Sequence, residues 1–331
     1  MKRPNLDAMQ SMRFVPANPA TARIARRFAE ALARLGHTTQ VSALPGRFPD
    51  PDQAAIYAVR TAWSNLPAET HRLVTGDVLA AFAGLPAHQV TALIQRPLDA
   101  DASWLREVPR VVVPSEAMQA SLSRDHGVPA ERILVVQPGI DPLPRSTGSG
   151  GPGCRILSVG ALVPRKGHDV LLRALARLFD LNWRLDIAGA PQDAVYAGGL
   201  RAQAEELGIR NRVCFVDEPE WDTADLFALA SHDEGYGMAI AEALRRGLPV
   251  AVTNVGAVPT LVGPEAGVVV APGDADQLSK AMRRLVFDRS LRRDMAAVAW
   301  QSGQALPSWE TQARCLAEII EQEEATCCWA P

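Results

Sequence analysis

Two carboxylates, Glu234 and Glu242, stand eight positions apart in the stretch SHDEGYGMAIAE (231–242), with Gly235-Tyr236-Gly237 between them. The glycines let backbone approach a ligand closely, and a helix starting at Met238 would aim its first free amides, with their partial positive charge, at an anion. Glu242 lies about one turn into that helix, beyond the free amides, so its carboxylate can accept hydrogen bonds from hydroxyls such as those of a ribose. Glu234 precedes the glycines and is placed to hydrogen-bond hydroxyls of a group attached to the far side of the anion. A second stretch, GALVPRKGHD (160–169), puts Arg165 and Lys166 on a loop just before another helix, and cations beside free amides suit a phosphate. Taken singly, the first stretch is also what two surface acids flanking a turn look like, and the second a solvated basic turn.

Both stretches follow apolar runs of strand type. In the first half, MRFVP, TTQVSAL, HQVTALIQ, PRVVVPS and RILVV alternate with the helical patterns ATARIARRFAEALARLG and SEAMQASLSRDHG. Residues 138–153, PGIDPLPRSTGSGGPG, hold four prolines and five glycines without apolar periodicity, the composition of an interdomain connection. The alternation then restarts with strands RILSVG, WRLDIAG, RVCFV, DLFALAS and LPVAVTN and helices HDVLLRALARLF, GLRAQAEELG and MAIAEALRRG. Strand-helix repetition of this kind predicts parallel sheets covered by helices, with ligands outside the carboxyl ends of the strands. Asp274 with Gln277 three residues on predicts a capped helix start, and a final helix from about Ser308 is long enough to reach beyond its own domain. The expected division is an N-terminal domain 1–140, a linker 141–153, a C-terminal domain 154–306, and a helix in 307–331 that packs back on the N-terminal domain.

A length of 331 residues suits two domains, and 47% hydrophobic with 21% charged residues is the composition of a chain that buries its own cores. A formal charge of −3 gives no basic surface for a long polyanion, which excludes the common nucleic-acid binders. The N-terminus lacks the apolar stretch of a signal peptide, and the longest uncharged run, GLPVAVTNVGAVPTLVGP, is broken by three prolines and three glycines, so neither export nor a membrane span is expected. Five cysteines without paired metal spacing fit a reducing cytoplasm. No metal site is expected: of the DAD triplets at 99–101 and 274–276, the second reads as a helix cap. The helix at 20–35 carries Ile24, Phe28, Leu32 and Leu35 on one face and Arg23, Arg26, Arg27 and Arg34 elsewhere. Such a stripe faces a core, or lies against an anionic membrane, which would suit peripheral contact with its inner face. The six histidines are scattered and read as surface residues. No G-x-G-x-x-G follows a strand, which removes the main argument for a dinucleotide-dependent oxidoreductase.

In order and spacing, GALVPRKG, LDIAGA, ADLFALAS, EGYGMAIAEALRRGLPVAVTNVGAVP and GVVVAPGDADQL resemble the donor-binding half of family 4 retaining glycosyltransferases, strongly over about residues 153–285. The resemblance implies the GT-B fold, with two Rossmann-like doubly wound α/β domains facing across a cleft. It implies transfer of a sugar from a nucleotide diphosphate sugar (a UDP-, GDP- or other NDP-sugar), as a hexosyltransferase does, to an acceptor glycan, lipid or small molecule, with retention of anomeric configuration. No catalytic metal or cofactor is implied, because cationic side chains and a helix terminus would take the charge-stabilising role. Position by position, Lys166 would contact the donor diphosphate, Glu242 the ribose and Glu234 the transferred sugar, with Gly160, Gly235, Tyr236, Gly237 and Met238 shaping the phosphate site. The family's usual arginine after the first glycine is Ala161 here, and Arg165 is the expected substitute. On the acceptor side, Gln95 and Arg96 stand where relatives carry histidines, and the loop after the first strand, VPANPATARIARRF, has no glycine. These departures leave a second reading, a degenerate GT-B protein that binds a nucleotide or partner without transferring sugar.

Overall fold

The computed structural model describes residues 11–15, 19–41, 53, 56–57, 60–61, 70–76, 82, 90–98 and 103–327. The chain divides into two compact units, the first formed by 1–139 together with 307–331 and the second by 140–306.

In the first unit six parallel strands, β1 (Ser11–Val15), β2 (Thr38–Val41), β3 (His71–Thr75), β4 (Val90–Leu93), β5 (Arg110–Val113) and β6 (Ile133–Val135), lie in the order β2-β1-β3-β4-β5-β6. That is one of the two common doubly wound orders. Helix α1 (Pro19–Arg34) follows β1, and α2 (Glu116–His126) follows β5, capped by Ser115, whose hydroxyl accepts from the Met118 amide. The apolar stripe of α1 faces inward: Phe28 and Leu32 are fully buried. The Phe28 ring meets Trp309 edge-on at 5.3 Å between centroids, and the Arg27 guanidinium stands 5.6 Å from the same ring. Trp309 opens the last helix, here α9 (Trp309–Cys327), so the C-terminal segment belongs to the first unit's core. The stripe is therefore occupied by packing rather than held for a membrane, and among the described residues no helix is long and apolar enough to cross one.

The second unit repeats the plan. Strands β7 (Cys154–Val159), β8 (Trp183–Ala188), β9 (Val213–Val216), β10 (Leu226–Leu229), β11 (Val250–Thr253) and β12 (Gly267–Val270) are all parallel, in the order β12-β11-β10-β7-β8-β9. Counted within the unit this is the Rossmann order, and its direction reverses between β7 and β10. Helices α3 (His168–Ala176), α4 (Ala194–Glu206), α5 (Met238–Arg245), α6 (Val258–Val262), α7 (Ala275–Phe287) and α8 (Arg289–Ala305) cover both faces. One core gathers Leu171, Leu175, Trp183, Leu185 and Met282, the other Phe227, Leu229, Ile240, Leu244 and Val252. Asp274 caps α7 by accepting from the Asp276 and Gln277 amides at 3.0 and 2.9 Å.

Two features depart from the sequence reading. The expected linker, 141–153, is part of the second unit, which begins at Ile140. Ile140 packs with Tyr236, Ala241 and Ala257, the Ser146 hydroxyl donates to the Asp222 and Ala224 carbonyls, and the Ser149 amide donates to Asp225. Polar loops lacking apolar periodicity can still be fixed by hydrogen bonds, which composition does not reveal. β3 and β12 also add strands that the apolar-run reading did not single out. β3 is wholly buried although its sequence, HRLVT, begins and ends in polar residues. Its His71 Nε2 lies 3.0 Å from the Thr91 hydroxyl of neighbouring β4, so a hydrogen bond replaces the missing apolar signal.

Candidate functional site

The two stretches singled out by chemistry follow β7 and β10, the adjacent pair at which the strand order reverses. Loops leaving neighbouring strands in opposite directions open a crevice there, and here they are tied together. The His232 amide donates to the Arg165 carbonyl at 2.8 Å, and the Lys166 ammonium forms an ion pair with Glu234 Oε1. Lys166 sits in a short 3-10 turn, Pro164–Lys166, closed by Gly167 at φ +61°. A Cβ on Gly167 would stand 1.9 Å from the Ala230 carbonyl oxygen, so glycine is required by both conformation and space. Gly160 lies against the stem of Lys166, where an added Cβ would meet the side chain at 3.4 Å.

Glu234 is 8% exposed and held from several sides. The Ser231 hydroxyl donates to its Oε1 at 2.8 Å, and the Thr253 hydroxyl at the end of β11 donates to the Ser231 carbonyl at 2.6 Å. Gly256 passes so close that a Cβ there would fall 1.9 Å from the Glu234 carbonyl. Burial of an ionised pair is favourable only when geometry and further hydrogen bonds compensate for lost water, and Ser231 supplies such a bond. The sequence reading names neither Ser231, Thr253 nor Gly256, although Thr253 ends β11 and Ser231 and Gly256 lie two and three residues past β10 and β11, where site residues are expected.

Gly237 caps α5 at φ +93°, and no side chain caps this helix, so its first amides keep their donor capacity. Met238 opens the helix and Glu242, half-buried, lies about one turn in. The Tyr236 ring is buried with Ile140, Ala241 and Ala257, and burial pushes its phenol up to about 12, so it stays protonated at physiological pH. Gly235 is buried between Glu234 and that ring. Arg165 is half-buried, and among the described residues its guanidinium has neither a hydrogen bond nor an ion pair, which leaves it available to an incoming anion.

His168 corrects the expectation of a surface histidine. It is fully buried at the start of α3, with Nε2 3.3 Å from the Gly160 carbonyl and Nδ1 3.5 Å from the Ser158 hydroxyl. A carbonyl only accepts, so Nε2 carries the proton and Nδ1 faces the hydroxyl. Burial pulls its pKa down to about 4, the nearby Lys166 charge acts the same way, and the carbonyl contacts oppose them. A neutral ring thus braces the loop that carries Lys166. His71 in the first unit is likewise buried, and its pKa falls to about 4 through burial and the neighbouring Arg72 charge.

Gln95 and Arg96 lie in the first unit, just after β4. Both side-chain atoms of the Gln95 amide are buried without a hydrogen-bond partner among the described residues. Residues 16–18 of the glycine-free stretch after β1, and the first DAD triplet at 99–101, lie outside the described residues.

Residues 142–301 match the sequence model of the family described as glycosyl transferases group 1. That span contains Lys166, Glu234, Glu242 and the strand pair between which they meet. The match takes in nearly all of the second unit, which thus resembles a group 1 glycosyltransferase domain. Among curated relatives, a D-inositol 3-phosphate glycosyltransferase of Mycolicibacterium gilvum is 35% identical over 230 residues, covering 64% of this chain and 49% of that protein. One of Mycobacterium marinum is 32% identical over 200 residues, covering 54% and 42%. The chain spans less than half the length of these relatives. Of solved structures, sucrose-phosphate synthase from Thermosynechococcus elongatus superposes with a TM-score of 0.79 at 18% identity, covering 96% of this chain and 100% of that one. Anabaena HepE, solved in complex with UDP-glucose, gives 0.75 at 18% identity, covering 94% and 99%. At these identities the likeness shows the fold, and that fold is GT-B.

Proposed function

We propose that this chain is a retaining glycosyltransferase that moves a sugar from a nucleotide diphosphate sugar to an acceptor. The observation that carries the reading is the meeting of Lys166 with Glu234 at the strand-order reversal between β7 and β10, inside the span that matches the group 1 family. It is supported by the relatives, named as glycosyltransferases, and by structural neighbours solved with UDP-glucose.

In this reading the donor diphosphate enters between Lys166 and the first amides of α5, and the Lys166 ammonium turns from Glu234 to the phosphate oxygens. Glu234, still held by Ser231, then accepts hydrogen bonds from hydroxyls of the transferred sugar, and Glu242 from the ribose. As the bond from the anomeric carbon to the diphosphate oxygen breaks, negative charge grows on that oxygen. Lys166, Arg165 and the α5 amides meet it with preorganised positive charge, in the role that a metal ion fills elsewhere. The acceptor oxygen bonds to the anomeric carbon on the face that the diphosphate leaves, and its proton passes to the departing diphosphate. This single front-face exchange retains configuration without a covalent sugar-enzyme intermediate. Gln95 and Arg96 are the acceptor-side candidates of the first unit, and the unpartnered Gln95 amide suits a hydroxylated ligand.

The test is turnover. Incubation with UDP-, GDP-, ADP- and TDP-sugars and a panel of hydroxylated acceptors should release nucleoside diphosphate from one donor class. Nucleotide binding without release from any donor would overturn the enzymatic reading in favour of a binding protein.

A further inference from the structure

A cavity of about 350 Å³ lies at the opposite, amino end of the second unit's sheet. Its lining includes residues immediately preceding three strands: Gly153 before β7, Asp225 before β10, and Leu248 and Pro249 before β11. Since all these strands are parallel, the cavity and the Lys166–Glu234 site are separated by the length of the sheet.

Four arginines line it: Arg145, Arg289, Arg292 and Arg293. The last three share one face of α8 at helical spacing, and like charges so placed cost the helix stability unless an anion offsets them. Elsewhere in the unit Arg155, Arg173, Arg177, Arg246 and Arg283 each pair with a carboxylate, while Arg212 and Arg245 donate to carbonyls. None of the four cavity arginines pairs with a carboxylate among the described residues. Asp225, the acid in the lining, accepts instead from the Ser149 and Arg155 amides. Arg292, 8% exposed, fixes one nitrogen on the Leu285 and Val286 carbonyls at 2.6 and 2.8 Å, and Arg145 lies over Trp300 at 5.5 Å. Arg289 donates to the Gly151 carbonyl, so three of the four guanidiniums are anchored, while Arg293 is exposed at the rim. The first amides of α8 are already taken by Asp288, at 2.9 and 3.0 Å, so the positive charge here comes from side chains. Gly148, Gly150, Gly151 and Gly153 also line the cavity and add no side chain to it.

We propose that this cavity binds a phosphomonoester dianion, at a site separate from the donor site. Several forked donors around one cavity, none in an ion pair with a carboxylate among the described residues, suit the three oxygens of a terminal phosphate better than a single carboxylate. The volume also accommodates a small group attached to that phosphate. The phosphate could be carried by a soluble metabolite or displayed as a lipid headgroup.

The chain with Lys166→Ala, which disables the proposed donor site, is titrated calorimetrically with glycerol 3-phosphate and tested for co-sedimentation with phosphatidic acid vesicles. The same measurements follow after adding Arg145→Gln and Arg293→Gln, both exposed positions, with a thermal melt to confirm folding. Saturable binding that weakens about tenfold or more in the triple variant supports the site, because two charge-assisted donors are lost. Binding of glycerol 3-phosphate assigns a soluble ligand, and binding of the vesicles alone assigns a lipid headgroup. Absence of binding to both probes, or equal binding by the triple variant, overturns it.

Discussion

The two ends of the second unit's sheet treat charge in opposite ways. At the carboxyl end Lys166 and Glu234 neutralise each other under near-complete burial, with Ser231, Thr253 and the buried ring of His168 fixing both loops. At the amino end four arginines surround an open cavity and find no carboxylate among the described residues. The same parallel strands feed both ends, so the fold does not set this difference. It arises because the loops at the strand-order reversal close on each other and pair a cation with an anion, which in the proposed reaction exchange partners when the donor arrives. The amino end has no such pairing, and its charge awaits an external anion.

The contrast can be broken by substitution. Removing Lys166 should have the largest effect: Lys166→Ala is expected to lower sugar transfer about 10²- to 10³-fold, the usual loss for one preorganised donor at a developing oxyanion, as measured by kcat/KM for the accepted donor. Next is Glu234→Ala, which leaves a buried ammonium without its carboxylate and should cost about 3–5 kcal/mol in urea unfolding. The double variant should cost less than the sum of the single ones, and strict additivity would mean that the pair is not coupled. A smaller effect separates the two ends through glycine. Gly167→Ala at the carboxyl end meets both a left-handed backbone and the Ala230 carbonyl, whereas Gly150→Ala at the amino end has φ +64° and nothing within 4 Å of the added carbon. Gly150→Ala should cost about 1 kcal/mol and Gly167→Ala clearly more, and equal costs would show that the loops after β7 and β10 are not packed as described.

Acid should act through the buried histidines. Both His71 and His168 fall from 6.5 to about 4, so between these values the unfolded chain binds more protons than the folded one. Stability is therefore complete above about pH 6.5 and drains as pH falls toward 4, by up to about 1.4 kcal/mol per pH unit for each ring. His168→Gln should remove its share of that slope in denaturation curves taken across the window, and an unchanged slope would place the ring in solvent.

Much of the carboxyl end was legible in the sequence because its residues follow strands. Lys166, Gly235, Gly237, Glu234 and Glu242 could be found by looking just past apolar runs, and the resemblance placed them together. The pairing of Lys166 with Glu234 was not legible, since it depends on β7 and β10 being neighbours, and sequence order separates them by two strands. His168 was misread because nothing in a lone histidine after a Lys-Gly pair tells whether its ring turns toward the sheet. β3 is not legible because His71 and Arg72 interrupt the apolar pattern, although inside the sheet His71 bonds to Thr91 of β4 and Arg72 donates to the Thr70 carbonyl. Residues 141–153 read as a linker because their anchors are backbone and hydroxyl hydrogen bonds. The arginine face of α8 looks like ordinary solvated charge until the cavity beside it and the absence of partners are seen.

The central claim is that the Lys166–Glu234 crevice binds a nucleoside diphosphate. Calorimetric titration of UDP, GDP, ADP and TDP into the unmodified chain, the Lys166→Ala variant and the Arg145→Gln/Arg293→Gln variant addresses it directly. The account predicts one diphosphate bound with unit stoichiometry, weakened about tenfold or more by Lys166→Ala and unchanged by the arginine substitutions. Equal affinity for every diphosphate in the parent and Lys166→Ala chains would contradict it.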